Sequence, residues 1–228
     1  MKMSPSLEKK YSKEQSRYLE SMRLANMIAW APVIFQVSRL MIKFGIFKML
    51  ADTKDGLSQE EIITRSGLSR YAVQVLLEAS LTAETIIYRD DKYLITKAGW
   101  FLLSDPVSKV NLEFNHDVNY LGMYRMEEAL LNGKPEGLKV FGSWSTIYEG
   151  LSSLPDNARR SWFAFDHYFS DSSFDDALAI VFANKPLRLL DVGGNTGRWA
   201  LRCVAHNSEV AVTVMDLPQQ LGLMEENI

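Results

Sequence analysis

Residues 187–197 read Leu-Arg-Leu-Leu-Asp-Val-Gly-Gly-Asn-Thr-Gly. A short apolar strand (Leu187, Leu189, Leu190) ends on a carboxylate, Asp191, and a tight glycine turn follows. Arg198-Trp199-Ala200 then open a helix, and a second apolar run, Val210 to Met215, ends on Asp216. Strand, glycine turn, helix and a second strand closed by an acid make the front half of a nucleotide-binding βαβ unit.

The residue types say what such a unit holds. Gly193, Gly194 and Gly197 let the backbone turn sharply, so a ligand can approach without meeting a Cβ. The helix that follows aims its N–H groups and positive dipole end at the turn. Asp216, at the carboxyl end of the next strand, offers two oxygens to a ribose diol. The dinucleotide fingerprint places glycines at i, i+2 and i+5. No trio among Gly193, Gly194 and Gly197 gives that spacing. A carboxylate at the head of the turn, Asp191, repels a pyrophosphate and suits an amino-bearing, cationic ligand. The combination points away from NAD and toward S-adenosylmethionine, which joins a ribose to an amino acid and a sulfonium.

Asp-Val-Gly-Gly-Asn-Thr-Gly resembles the first motif of class I methyltransferases, acid-x-Gly-x-Gly-x-Gly, with Asn195 in place of the middle glycine. Val212-Thr213-Val214-Met215-Asp216-Leu217-Pro218 resembles the second motif of one branch, the small-molecule O-methyltransferases similar to caffeate, hydroxyindole and polyketide methylating enzymes. The resemblance runs from about residue 20 onward. It implies a mainly α N-terminal winged-helix dimerisation domain followed by the first part of an α/β Rossmann-like domain. It implies S-adenosylmethionine as cofactor and methyl transfer to a hydroxyl of a small-molecule acceptor. Asp191, Gly193, Gly194, Thr196 and Gly197 would hold the methionine moiety, Asp216 the ribose, and Leu217 would pack near the adenine. Phe165 and Phe169 match the spacing of a Phe-x-x-x-Met pattern that lines the cofactor pocket in this family, with Phe169 where methionine is usual. An aromatic stripe at helical spacing reads equally well as core. The family's catalytic residues are expected downstream of Ile228, since about seven strands make its sheet and few residues follow Asp216. On this reading the sequence is the front part of a longer enzyme, inactive alone.

The 228 residues carry a net charge of −3 and are 47% hydrophobic, an ordinary globular balance with no bulk attraction to nucleic acid or anionic membrane. One cysteine, Cys203, excludes an internal disulfide and suits a reduced, cytoplasmic setting. Met1 to Lys13 hold no apolar signal core, and the apolar runs near Met27 to Phe35 read as too short and interrupted to span a bilayer.

Ser12 to Asp52 carries helical periodicity (Leu19, Met22, Ile28, then Ile34, Val37, Met41, Phe44). Pro32 is expected to separate two helices. The first of them exposes more apolar surface than one small domain needs, and the resembling family dimerises through such helices, which implies a homodimer. Ser58 with Glu61 fits a capping box, Gly67 a turn, and Ser69 the cap of a second helix. Ile86-Ile87-Tyr88 and Lys92 to Ile95 flank Arg89-Asp90-Asp91 as a hairpin, and Thr96 caps a last short helix. Helix, turn, helix and hairpin make a winged helix. That order raises an alternative, a DNA-binding regulator with a metabolite-sensing lobe. A second alternative is a non-catalytic dimerisation module. Between Ser58 and Asp105 five bases stand against seven acids, too few cations for a phosphate-binding face. Three regions follow: 1–108 for dimerisation, 109–184 as a helical connector lining the active site, and 185–228 for cofactor binding. Trp144, Tyr148 and Leu151 are expected to open a helix inside the connector. His116, His167 and His206 are scattered without metal-ligand spacing, and none is assigned as a metal ligand or base.

Overall fold

The computed structural model describes residues 4–14 and 16–225. The chain divides into two compact units, Met1–Asp105 and Pro106–Ile228.

In the first unit α1 (Pro5–Tyr11) precedes a long α2 (Tyr18–Lys43), α3 (Ile46–Ala51), α4 (Gln59–Ser66) and α5 (Arg70–Thr82). The hairpin β1 (Ile86–Arg89) and β2 (Lys92–Ile95) and then α6 (Lys97–Ser104) complete it. Local chemistry sets these bounds. The Ser58 hydroxyl accepts from the Glu61 N–H at 3.3 Å, while Glu61 takes the Ser58 N–H at 2.8 Å. Ser69 caps α5 through the Ala72 N–H, and Thr96 caps α6 through that of Gly99. Asp90 and Asp91 both adopt left-handed φ, the pair a two-residue type I′ hairpin needs. Val37, Met41, Phe47, Leu50, Ile62, Val73, Leu77 and Ile86 make one core.

Pro32 does not divide the helix, contrary to the sequence expectation: α2 runs unbroken through it. A proline inside a helix costs about 3 kcal/mol. Stopping and restarting would instead strand four C=O groups at one new end and four N–H groups at the other. By length and composition alone α2 is long and apolar enough to cross a bilayer, a test that a core helix also passes. Its C-terminal third is nevertheless core, with Val37, Ser38 and Met41 buried. Its N-terminal half leaves Tyr18 82%, Leu19 69% and Trp30 60% exposed.

At Gly99 the backbone of α6 lies against Thr85, the residue before β1. A Cβ there would sit 2.3 Å from the Thr85 carbonyl oxygen, which is backbone and cannot swing away. Gly99→Ala is expected to destabilise this unit by about 1–3 kcal/mol, the usual penalty of overpacking, as a lowered urea midpoint.

The second unit opens with α7 (Pro106–Phe114), a π-helical turn (Asn115–Asn119) and α8 (Tyr120–Met123). After α9 (Met126–Asn132) come two 3-10 segments, Glu136–Val140 and Ile147–Ser153. The helix expected at Tyr148 and Leu151 is this second, 3-10 segment, and Trp144 lies before it. Then follow α10 (Asp156–Asp171) and α11 (Phe174–Val181), and after them β3 (Arg188–Val192), α12 (Arg198–His206), β4 (Ala211–Met215) and α13 (Pro218–Glu225). The Asp117 carboxylate in the π turn accepts from Asn157 at 3.0 Å and from the Ser161 hydroxyl at 2.6 Å, tying α10 to it. β3 and β4 pair in parallel, Arg188 opposite Ala211 through Val192 opposite Met215. Leu189 and Val212 turn toward Cys203 on α12 and Leu178 on α11. Leu190, Val192 and Met215 face the other way and are exposed.

Candidate functional site

The parallel register brings the ends of β3 and β4 side by side and sets Asp191 opposite Val214, with Asp216 just past the paired residues. Between them lies the turn. Gly193 takes φ +76° and donates its N–H to the Met215 carbonyl at 2.8 Å. A Cβ on Gly193 would meet nothing within 4 Å, so this side of the turn is open. Gly194 is closed on its other side, where a Cβ would fall 2.4 Å from Val214 Cγ1 and 2.8 Å from Asp191 Oδ2. Gly197 enters α12 at φ +79°. The glycines therefore divide their work: two supply left-handed backbone and one supplies clearance.

Asp216 anchors the turn. Its Oδ2 accepts the Asn195 N–H at 2.8 Å and its Oδ1 the Leu217 N–H at 2.7 Å. A carboxylate has about four acceptor positions, so each oxygen keeps capacity for a ligand hydroxyl. Asp191 is different. Its Oδ2 is buried and has no hydrogen-bond partner among the described residues. Burial, and then the neighbouring charge of Asp216, push its carboxyl above the usual range. An ionised carboxylate in that position is costly unless a cation or donor arrives to meet it.

Asp191, Gly193, Gly194 and Asn195 line a cavity of about 330 Å³ with Asp166, His167 and Ser170 of α10, Phe174 of α11, and Arg198 and Trp199 of α12. Four polar links join α10 and α11 to the turn and α12. Asn195 Nδ2 donates to Asp166 Oδ2 at 2.9 Å, and the Thr196 hydroxyl lies 3.0 Å from His167 Nε2. Arg198 pairs with Asp171 at 2.7 Å, and Arg202 with Asp175. His167 Nδ1 is 3.5 Å from Asp171. Burial, then the Arg198 charge, lower the His167 pKa, which favours a neutral ring.

Asp191, Gly193 and Gly194 line the cavity; Thr196 and Gly197 continue the turn, and Asp216 holds it from β4. Leu217 is exposed beside Asp216. Phe165 and Phe169 do not line this cavity. Phe165 stacks on Phe114, with ring centroids 4.1 Å apart, and Phe169 is half exposed. Successive helical residues point about 100° apart, so α10 turns the Asp166–His167–Ser170 face to the turn instead. The pairings of Asp166 with Asn195 and of His167 with Thr196 are not legible in the sequence, because each crosses 29 residues. Among the described residues no cluster of three metal-ligating side chains occurs.

Asp191→Asn is expected to raise the melting temperature of the ligand-free protein. With a raised folded pKa, this group's stabilising contribution is full below its unfolded value of about 3.9 and is lost as pH rises through the folded value. The advantage of the variant should therefore fade on acidification, followed by thermal melts from pH 7 to pH 4.

Together the two units define a winged-helix dimerisation fold followed by an α/β methyltransferase-like fold with an acid-headed glycine turn. Residues 22–93 match the Dimerisation2-like domain. The chain is 25% identical over 194 residues to demethylspheroidene O-methyltransferase of Rhodobacter capsulatus, an alignment covering 83% of this chain and 47% of that protein. It is 23% identical over 210 residues to acetylserotonin O-methyltransferase of Gallus gallus, covering 85% and 59%. The crystal structure of human N-acetylserotonin methyltransferase in complex with SAM superposes with a TM-score of 0.61 at 19% identity, covering 95% of this chain and 63% of that one. The chain thus spans about half the length of the curated relatives it matches.

Proposed function

We propose that this chain takes part in S-adenosylmethionine-dependent methyl transfer to a hydroxyl of a small molecule. The observation that carries the reading is Asp191 Oδ2, buried and without a hydrogen-bond partner among the described residues, at the head of a glycine turn one strand from Asp216. An amino-acid ammonium group answers the first acid and a ribose diol the second. Gly193 leaves room for the ligand to lie against the backbone. The relatives named above are O-methyltransferases, which agrees in kind. When bound, the cofactor supplies an electrophilic methyl group on a sulfonium. The residues here bind and orient it: Asp191, Gly193, Gly194, Thr196 and Gly197 toward its methionine end, Asp216 toward its ribose, Leu217 toward its adenine. Phe165 and Phe169, off the cavity, are left to shape α10.

In the first unit the exposed apolar half of α2, inside the Dimerisation2-like match, is the face through which two copies would pair. Pairing of copies, not lipid or nucleic acid, covers it, and the buried single Cys203 suits a cytoplasmic protein. Isothermal calorimetry with S-adenosylhomocysteine and with NAD tests the cofactor assignment. Heat from the first and none from the second is expected. Binding of NAD alone, or of neither, overturns it.

A further inference from the structure

Asn195 stands where the resembling motif has a glycine, and its backbone is left-handed, φ +54°. Asparagine tolerates that conformation, though glycine does so more readily. Its side chain is engaged in a way a glycine could not be. Nδ2 donates to Asp166 Oδ2 on α10 at 2.9 Å, while its main-chain N–H donates to Asp216 Oδ2 at 2.8 Å. One residue thus joins the acid at the end of β4 to the helix that closes the cavity.

The orientation of the amide follows from the partner. The NH₂ donates to Asp166 Oδ2, so Oδ1 faces away from it. Oδ1 is buried and has no partner among the described residues. Asp191 Oδ2 is in the same condition. Both residues line one cavity. Two buried acceptors without donors, around one cavity, call for a ligand that brings N–H groups.

We propose that Asn195 is a positioning residue of the cofactor site: its NH₂ fixes the glycine turn to Asp166, and its Oδ1 accepts a hydrogen bond from the ligand's ammonium group alongside Asp191. This rests on the cofactor assignment made above. It adds a second acceptor for the ammonium and a reason for asparagine at this position. Asp166 becomes the outer member of the arrangement, holding Asn195 without touching the ligand.

The test is a set of four variants, N195G, N195D, D166N and the exchange D166N/N195D, with S-adenosylhomocysteine affinity read by calorimetry. Hydrogen–deuterium exchange of residues 193–198 in the ligand-free protein is the second readout. N195G keeps the left-handed backbone and loses both side-chain bonds, so affinity should fall about tenfold and exchange should quicken. N195D sets two carboxylates face to face and should open the turn further. The exchange variant restores a donor on α10 and an acceptor on the turn. It should recover slow exchange and bring affinity to within about threefold of the unaltered chain. Wild-type affinity and exchange in N195G, or no recovery in the exchange variant, overturn the proposal. Absence of binding by the unaltered chain refutes the cofactor assignment instead. In that case loss of exchange protection in N195D without recovery in D166N/N195D still overturns the link to Asp166.

Discussion

Asp216→Ala lowers the affinity for S-adenosylhomocysteine by about ten- to a hundredfold. Two losses combine. A charge-assisted hydrogen bond to a ligand hydroxyl is worth about 1.5–3 kcal/mol, and each 1.4 kcal/mol is about tenfold in affinity. The same carboxylate also holds the N–H groups of Asn195 and Leu217. Its removal frees the turn and leaves the half-buried Asn195 N–H without its acceptor. Asp216→Asn separates the two effects: the amide oxygen can hold one of those N–H groups but not both, so its loss should be smaller. Calorimetry of the three proteins reads the order directly. Unchanged affinity in Asp216→Ala would mean that no ligand hydroxyl meets β4.

Phe47→Ala destabilises the first unit by about 3–5 kcal/mol, the cost of removing a large side chain from a core that cannot collapse around the void. Phe47 is fully buried among Met41, Ile46, Leu50 and Leu77. Whole domains are stable by only about 5–15 kcal/mol, so the variant gives up a large share. Because the chain has two units, a single melting curve would blur the result. Urea titration followed by hydrogen exchange should show lost protection in α2 to α6 and little change in β3 and β4. Trp30, 60% exposed on α2, is the contrast. Its replacement by alanine should leave that unit's protection unchanged while weakening any association of copies. A comparable loss of protection in Trp30→Ala would contradict the division of α2 into a core third and an outer half.

Legibility in the sequence tracked the range of the interactions. Ser58 with Glu61, Ser69 and Thr96 announce helix starts because a cap is settled within three residues, and α4, α5 and α6 begin where they indicate. The pair of left-handed aspartates between two β-rich runs likewise marks the hairpin. The parallel pairing of β3 with β4 follows from strand, turn, helix and strand in order. Pro32 misled because a local penalty was weighed without the larger cost of two new helix ends. Which face of α10 meets the turn was hidden, because spacing gives the period of a helix and not which side meets a partner. Phe165 found Phe114, and the less conspicuous Asp166 and His167 found the turn. Asn195 showed in the sequence only as a departure from a pattern. Its pairing with Asp166 needed three-dimensional proximity to be seen.

Asp191 Oδ2 is buried near another acid, and desolvation and then that charge both favour the neutral carboxyl. Sites that must receive charge are built with such unpaired groups and give up some stability for it. A variant that relaxes this strain, Asp191→Asn, should melt higher and bind less.

The most direct measurement is a crystal structure of this chain grown with S-adenosylhomocysteine. The account predicts the ligand's ammonium within hydrogen-bond distance of Asp191 and its ribose hydroxyls on Asp216, with the Gly193 backbone alongside. A ligand lying elsewhere on the chain, or the cavity lined by Asp191 and Gly193 left without it at saturating concentration, would contradict the account.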